Sequence, residues 1–153
     1  MEAGQEVAWI PSYGPEMRGG TAYCQVVVSD RPIGSPIIKR PRHLVAMNRP
    51  SLEKFADAVK PGGVILINSS LCPDRSGRTD VDELAVPVTD IAKELGSIRA
   101  ANIVALGAFV ARSGIADFEL IRMAVKEEFA HKEKLIPLEM KALDTGRSMA
   151  EQQ

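Results

Sequence analysis

The sequence predicts an α/β protein, with a mostly parallel sheet flanked by helices in three layers. Residues 43–67 read strand, helix, strand in a compact unit, the pattern of a right-handed crossover between parallel strands. The second strand of that unit, Val64-Ile65-Leu66-Ile67, is a continuous apolar run, as expected of a strand covered on both faces. Helical patterns further along the chain supply the flanking layers. A length of 153 residues suits one domain, placed at residues 1–146, with a frayed tail at 147–153. A chain of this size hides roughly two-thirds of its unfolded surface, enough for a real core.

Each element follows from local chemistry. Val7-Ala8-Trp9-Ile10 is a short apolar strand ending at Pro11, and residues 21–29 form a second, valine-rich strand. Pro32 and Pro36 make the next stretch a turn, because proline cannot donate to a sheet ladder. Residues 43–47 are a strand that stops at Asn48. Ser51 is the expected cap of a helix whose inner face carries Leu52, Phe55 and Val59, and Pro61-Gly62-Gly63 ends it. Strand 64–67 finishes in Asn68-Ser69-Ser70, and residues 84–88 are a short final strand. Thr89 or Asp90 caps a brief helix that Gly96 stops.

Residues 97–112 are apolar nearly all round, so a helix of ~24 Å there belongs inside the protein. Gly107 costs that helix about 1 kcal/mol relative to alanine, which close packing explains better than catalysis. Residues 117–130 form another helix, with Phe118, Ile121, Val125 and Phe129 on one stripe for the core or a subunit contact. A last helix at 132–143, broken or started at Pro137, is closed by Thr145-Gly146.

The composition excludes several classes. A net charge of −1, from 19 basic and 20 acidic residues, lacks the excess that sequence-independent nucleic-acid binding needs. The basic run Lys39, Arg40, Arg42 and His43 reads as a solvated turn. Cys24 and Cys72 are expected as reduced, half-buried thiols, and two cysteines cannot hold an iron–sulfur cluster alone. His43 and His131 show no metal-ligand spacing and read as surface or loop residues. No apolar stretch reaches the roughly 18 residues of a membrane span, and the N-terminus is not signal-like, so a cytoplasmic protein is expected.

The densest turn chemistry lies in residues 10–21, between the first two strands. Ser12, Tyr13, Gly14 and Pro15 make a tight bend, Glu16 and Arg18 bracket Met17, and Gly19-Gly20 opens the backbone. Arginine beside paired glycines is a plausible anion cradle, with forked donors from the guanidinium and more from the amides. No helix follows, so this is neither a P-loop nor a dinucleotide fingerprint. The loop suits a bulky partner or a ligand held mostly by another chain. The bland alternative is a structured turn with solvated charges. The strand ends at Asn48 and Asn68 are a second region of interest, since open α/β sheets bind ligands beyond the carboxyl ends of their strands.

The stretch SYGPEMRGGTAYCQVVVSDRPIGSP closely resembles the signature of the gamma subunit or domain of the 2-oxoacid:ferredoxin oxidoreductases. MNRPSLEKF, PGGVILINSSL and AKELGSIRAANIVALGAFV resemble later blocks of that family. The resemblance runs from Gly4 to about Gly146 and implies a Rossmann-like fold. Members usually open with a strand and a glycine-rich turn leading into a helix, whereas this chain starts beyond that unit, at Met1-Glu2-Ala3-Gly4. The expectation is a sheet short of one strand, in a chain stable only in a complex or paired with a second copy.

By resemblance, the reaction is oxidative decarboxylation of a 2-oxoacid to acyl-CoA. Thiamine diphosphate with Mg, iron–sulfur clusters and coenzyme A act in the assembled complex. Alpha and beta subunits, a possible ferredoxin-like delta subunit, and ferredoxin as acceptor are the implied partners; nucleic acid and membrane are not. No catalytic or metal-binding residue is expected on this chain. Its substrate, coenzyme A or subunit contacts are assigned to Ser12, Tyr13, Gly14, Glu16, Arg18, Gly19, Gly20, Asn48, Asn68 and Asn102. Glu16 holds Arg18 in place, and Tyr13 offers a ring and hydroxyl to the same pocket. Asn102, in an apolar helix, needs a buried partner, either structural or at an interface. The competing reading is a free-standing α/β module that binds a nucleotide or coenzyme A in a regulatory role.

Overall fold

A computed structural model of the chain describes residues 4–12 and 22–153. They divide into two compact units, Met1–Pro41 and Arg42–Gln153.

In the first unit, β1 (Glu6–Ser12) and β2 (Tyr23–Ser29) pair antiparallel as a separate two-stranded sheet. Val7 lies opposite Val28 and Trp9 opposite Val26. The two-residue alternation of a strand leaves these four side chains exposed on one face, while Ala8, Ile10, Gln25 and Val27 are half-buried on the other. The Gln25 side chain donates to the Ile38 carbonyl at 3.1 Å and accepts from the Ile38 N–H at 2.9 Å, tying the proline-rich turn to β2.

The second unit holds the parallel sheet. β3 (His43–Ala46), β4 (Val64–Asn68) and β5 (Asp82–Val86) stand in the order β3-β4-β5. Every residue of the central β4 is buried. Its side chains feed two cores alternately. Ile65 and Ile67 join Ala46, Leu52, Ala56, Val59 and Cys72 under α1 (Arg49–Phe55). Leu66 joins Leu84, Val86 and the apolar faces of α2 (Val88–Glu94), α3 (Ala101–Ser113), α4 (Phe118–Glu128) and α5 (Ile136–Glu151). The three expected layers follow from that alternation. The expected stripe on α4 is also present: Val125 is buried and Phe118, Ile121 and Phe129 pack partly against the core.

Glycine sets the closest helix contact. A Cβ on Gly107 of α3 would lie 2.1 Å from the Leu143 carbonyl oxygen of α5. One on Gly146 would lie 2.0 Å from the Val104 oxygen and 2.9 Å from the Ala108 nitrogen. Close packing is thus the reason for Gly107. Gly146 is no terminator: α5 runs through it to Glu151, and Ala150 is buried. The expected frayed tail is instead helical. It is anchored by Arg112 Nη1 donating to the Ala150 carbonyl at 3.3 Å and by Gln153 Nε2 donating to the Ala85 carbonyl at 2.9 Å.

Other expectations change as well. Asn48, not Ser51, caps α1. Cys24 is exposed and Cys72 buried, both as free thiols rather than half-buried ones. His43 falls in a strand, as the reading of residues 43–47 expects, but is half-buried rather than a surface residue. It lies in β3, its Nδ1 accepts from the Val64 N–H at 3.1 Å, and its ring meets Phe109 edge-on at 5.7 Å. Burial, and secondarily the Arg42 charge, lowers its pKa from the usual histidine value.

Candidate functional site

The carboxyl edge of the parallel sheet is where the sequence and the topology converge. Asn48 follows β3 with extended backbone, φ −152° and ψ 169°, and its Oδ1 accepts from the Ser51 N–H at 3.0 Å. That bond satisfies one of the orphan donors of α1, whose first turn also contains Pro50. Asn48 therefore stands exposed at the strand end with its carbonyl already engaged.

Asn68 ends β4 and is fully buried. Its Nδ2 donates to the Met47 carbonyl at 3.1 Å and to Thr89 Oγ1 at 2.9 Å, and its Oδ1 accepts from the Thr89 N–H at 3.4 Å. One side-chain amide thus joins the end of β3, the end of β4 and the first turn of α2. A buried amide without partners costs roughly 1–3 kcal/mol, and here both of its ends are paired. The Asn68 backbone carbonyl accepts from Leu71 and Cys72, Ser69 N–H donates to Val86, and Asp90 N–H donates to Ser70 Oγ at 3.0 Å. The edge is a knitted rim in which Ser69 and Ser70 remain half-exposed.

Ser12 closes β1 opposite Tyr23 in the first unit and is half-buried. Tyr13, Gly14, Glu16, Arg18, Gly19 and Gly20 lie outside the described residues. Asn102 is exposed, with Oδ1 accepting from the Ile103 N–H at 3.1 Å, so the buried partner expected for it is not required. The structure brings Asn48 and Asn68 to one sheet edge, and Asn102 stands in the first turn of α3.

Two ionisable groups escaped sequence reasoning. Glu139, in the first turn of α5, is 5% exposed, and its Oε2 has no hydrogen-bond partner among the described residues. Burial raises its carboxyl above the ordinary glutamate value. The spacing 139, 143, 146 marks the inner stripe of α5 and was the available signal. The other is Arg122, whose Nη1 donates to Asp144 Oδ2 at 3.1 Å, bridging α4 to α5. Among the described residues, no three His, Cys, Asp or Glu side chains group to hold a metal, and no helix is long and apolar enough to cross a membrane.

Comparison with known proteins places this geometry. The family model described as pyruvate ferredoxin/flavodoxin oxidoreductase matches residues 1–149. The ketoisovalerate oxidoreductase subunit VorA of Methanothermobacter thermautotrophicus is 44% identical over 149 residues, covering 96% of this chain and 31% of VorA. The chain thus spans under a third of the length of that relative. The gamma subunit of keto/oxoacid ferredoxin oxidoreductase from Geobacter sulfurreducens superimposes with a TM-score of 0.84 at 30% identity, over 99% of this chain and 84% of the other. The 2-oxoglutarate:ferredoxin oxidoreductase of Magnetococcus marinus, solved with 2-oxoglutarate, coenzyme A and succinyl-CoA bound, gives a TM-score of 0.84 at 26% identity, over 99% of this chain and 27% of that one. The quoted sequence blocks, the three-layer parallel sheet and a family match spanning nearly the whole chain agree, and the chain belongs to the pyruvate ferredoxin/flavodoxin oxidoreductase family.

Proposed function

We propose that the chain is the gamma subunit, or the gamma-type region, of a 2-oxoacid:ferredoxin oxidoreductase that decarboxylates a 2-oxoacid oxidatively to its acyl-CoA. The family match over residues 1–149 carries this reading. Within such a complex the chain completes the assembly and lines the approach of coenzyme A or substrate. Two cysteines fall short of the four that an iron–sulfur cluster takes, so thiamine diphosphate, Mg and the clusters are read as cofactors of the assembled complex. The whole sequence offers two cysteines, one exposed and one buried, and the described carboxylates form no cation-binding group. Those groups are assigned to the alpha- and beta-type partners, with ferredoxin as acceptor.

The residues proposed for the approach are Ser12, Tyr13, Gly14, Glu16, Arg18, Gly19 and Gly20; Asn48, at the sheet edge of the second unit, is a separate candidate contact. Arg18 supplies the charge that an anionic group needs, and neighbouring amides add donors. The test is reconstitution. The chain is co-expressed with the companion subunits of its oxidoreductase, and reduction of ferredoxin is followed with coenzyme A and 2-oxoisovalerate, the substrate class suggested by the likeness to VorA. Activity should require the chain and be absent from the chain alone. Full activity of the companions without it overturns the reading. Arg18→Lys in the assembled enzyme should raise the apparent constant for coenzyme A or the 2-oxoacid, and unchanged kinetics with intact assembly removes Arg18 from the site.

A further inference from the structure

The start of α5 is held differently from the rest of that helix. From Asp144 onward polar contacts tie it down. Asp144 accepts from Arg122 of α4, the Ala150 carbonyl accepts from Arg112 of α3, and Gln153, just past the helix, donates to the Ala85 carbonyl of β5. Among the described residues, no hydrogen bond or ion pair ties residues 136–140 to another element. No side chain caps the first turn, and Pro137 there brings no N–H. The chain enters α5 through a kink. Lys132 takes non-helical angles, φ −134° and ψ 54°, and residues 130–135 are all exposed.

Into this loosely anchored start the fold places a carboxylic acid. Glu139 is 5% exposed, and its Oε2 is buried without a hydrogen-bond partner. It lies one turn before Leu143, whose carbonyl meets Gly107, so it shares the face of α5 that turns to the core. Among the described residues no counter-charge meets it. The charged groups of the elements packed on α5 are paired elsewhere (Asp90 with Lys93, Asp82 with Arg112, Glu83 with Arg75, Glu119 and Asp144 with Arg122) or are exposed, as are Glu94, Arg99 and residues 126–128 and 131–134. Burial alone acts on the Glu139 carboxyl, and it acts against the charged form. A charge at this place is relieved by carrying the carboxylate to water. Moving all of α5 would break the seam at Gly107 and Gly146 and every tie beyond it. Lifting the first turn alone gives up only the contacts of Ile136, Leu138 and Met140, which are half-buried already. We infer that the first turn of α5 is a proton-operated latch, seated on the core while Glu139 is uncharged and swung outward about Lys132 when it ionises.

The test is amide exchange on the chain in whichever assembly purifies, from about pH 5 to about pH 8, corrected for the intrinsic rate. The amides at 140–143 bond to carbonyls of that turn, so their protection should fall at least about tenfold across the range, while protection at 148–151 changes less than about threefold. The fall should track the titration of the Glu139 carboxyl carbon, followed by nuclear magnetic resonance. It should disappear in Glu139→Gln and in Glu139→Leu. Protection at 140–143 that ignores pH overturns the inference, as does an equal fall in either variant or a fall whose midpoint differs from that of the carboxyl. If 148–151 lose protection in step with 140–143, α5 opens as a whole and the latch is refuted. Should neither variant fold, the comparison of midpoints in the wild type still decides.

Discussion

Replacing Gly107 with alanine tests the closest contact in the fold. The new methyl would meet the Leu143 carbonyl oxygen at 2.1 Å, and ordinary contact begins near 3.4 Å. The obstacle is backbone rather than a flexible side-chain tip, so α3 and α5 must separate by about 1 Å or tilt. Overpacking of this kind costs roughly 1–3 kcal/mol, while alanine returns up to about 1 kcal/mol of helix propensity that glycine withheld. The net expectation is destabilisation by roughly 1–2 kcal/mol, a fall in Tm of about 2–8 °C for a chain of this size. Gly146→Ala should act alike, since its methyl strikes Val104 and Ala108 across the same seam. Once one methyl has opened the seam the second finds room, so the double variant should lose less than the two singles together. Urea unfolding of whichever assembly purifies gives the numbers, with exposed Asn102→Ala on α3 as the propensity control. If Gly107→Ala is as stable as wild type, or more so, the helices do not approach as described.

Asn68→Leu removes the amide that links Met47, Thr89 and the end of β4, and leaves the Met47 carbonyl and the Thr89 N–H unpaired. A loss of roughly 2–4 kcal/mol in urea unfolding is expected, and a loss below about 0.5 kcal/mol would show that the rim holds without it. Glu139 has a raised pKa in the folded chain, so the folded state binds its proton more tightly than the unfolded state does. Its contribution to stability is full below the ordinary glutamate value and is lost as pH rises through the folded value. Glu139→Gln should therefore gain on wild type as pH rises above that ordinary value, read as a widening Tm difference. His43 carries the opposite sign. Its folded pKa is lowered, so stability present above the ordinary histidine value is lost as pH falls through the folded one. In His43→Gln that part of the slope should vanish, and an unchanged Tm profile would refute the burial account.

The parallel crossover was legible because residues 43–67 repeat a simple grammar. An apolar run stops at Asn48, a helix carries Leu52 inward with Val59 buried just beyond its end, and a second apolar run stops at Asn68. The cap moved from Ser51 to Asn48 because both residue types cap well, and only backbone angles reveal which stands just outside the helix. Gly146 misled for a different reason. Glycine after a weak helical pattern usually ends it, but here the missing side chain admits the backbone of α3, which is non-local information. His43 and Asn102 were misplaced because exposure depends on what packs over a residue, and Phe109 lies far along the chain from His43. At the strand ends, sequence reasoning found Asn48 and Asn68. It could not show that Thr89 and Met47 would take the Asn68 amide.

The alternation along β4 sets how the second unit comes apart. Ile65 and Ile67 belong to one layer and Leu66 to the other, so peeling α1 away loosens the strand against which α3 and α5 rest. Neither side can melt while the other stays native, and a slip of a single position would swap the tenants of both interiors at once. Residues 42–153 should therefore unfold in one cooperative step, with no half-denatured form holding only one of the two interiors.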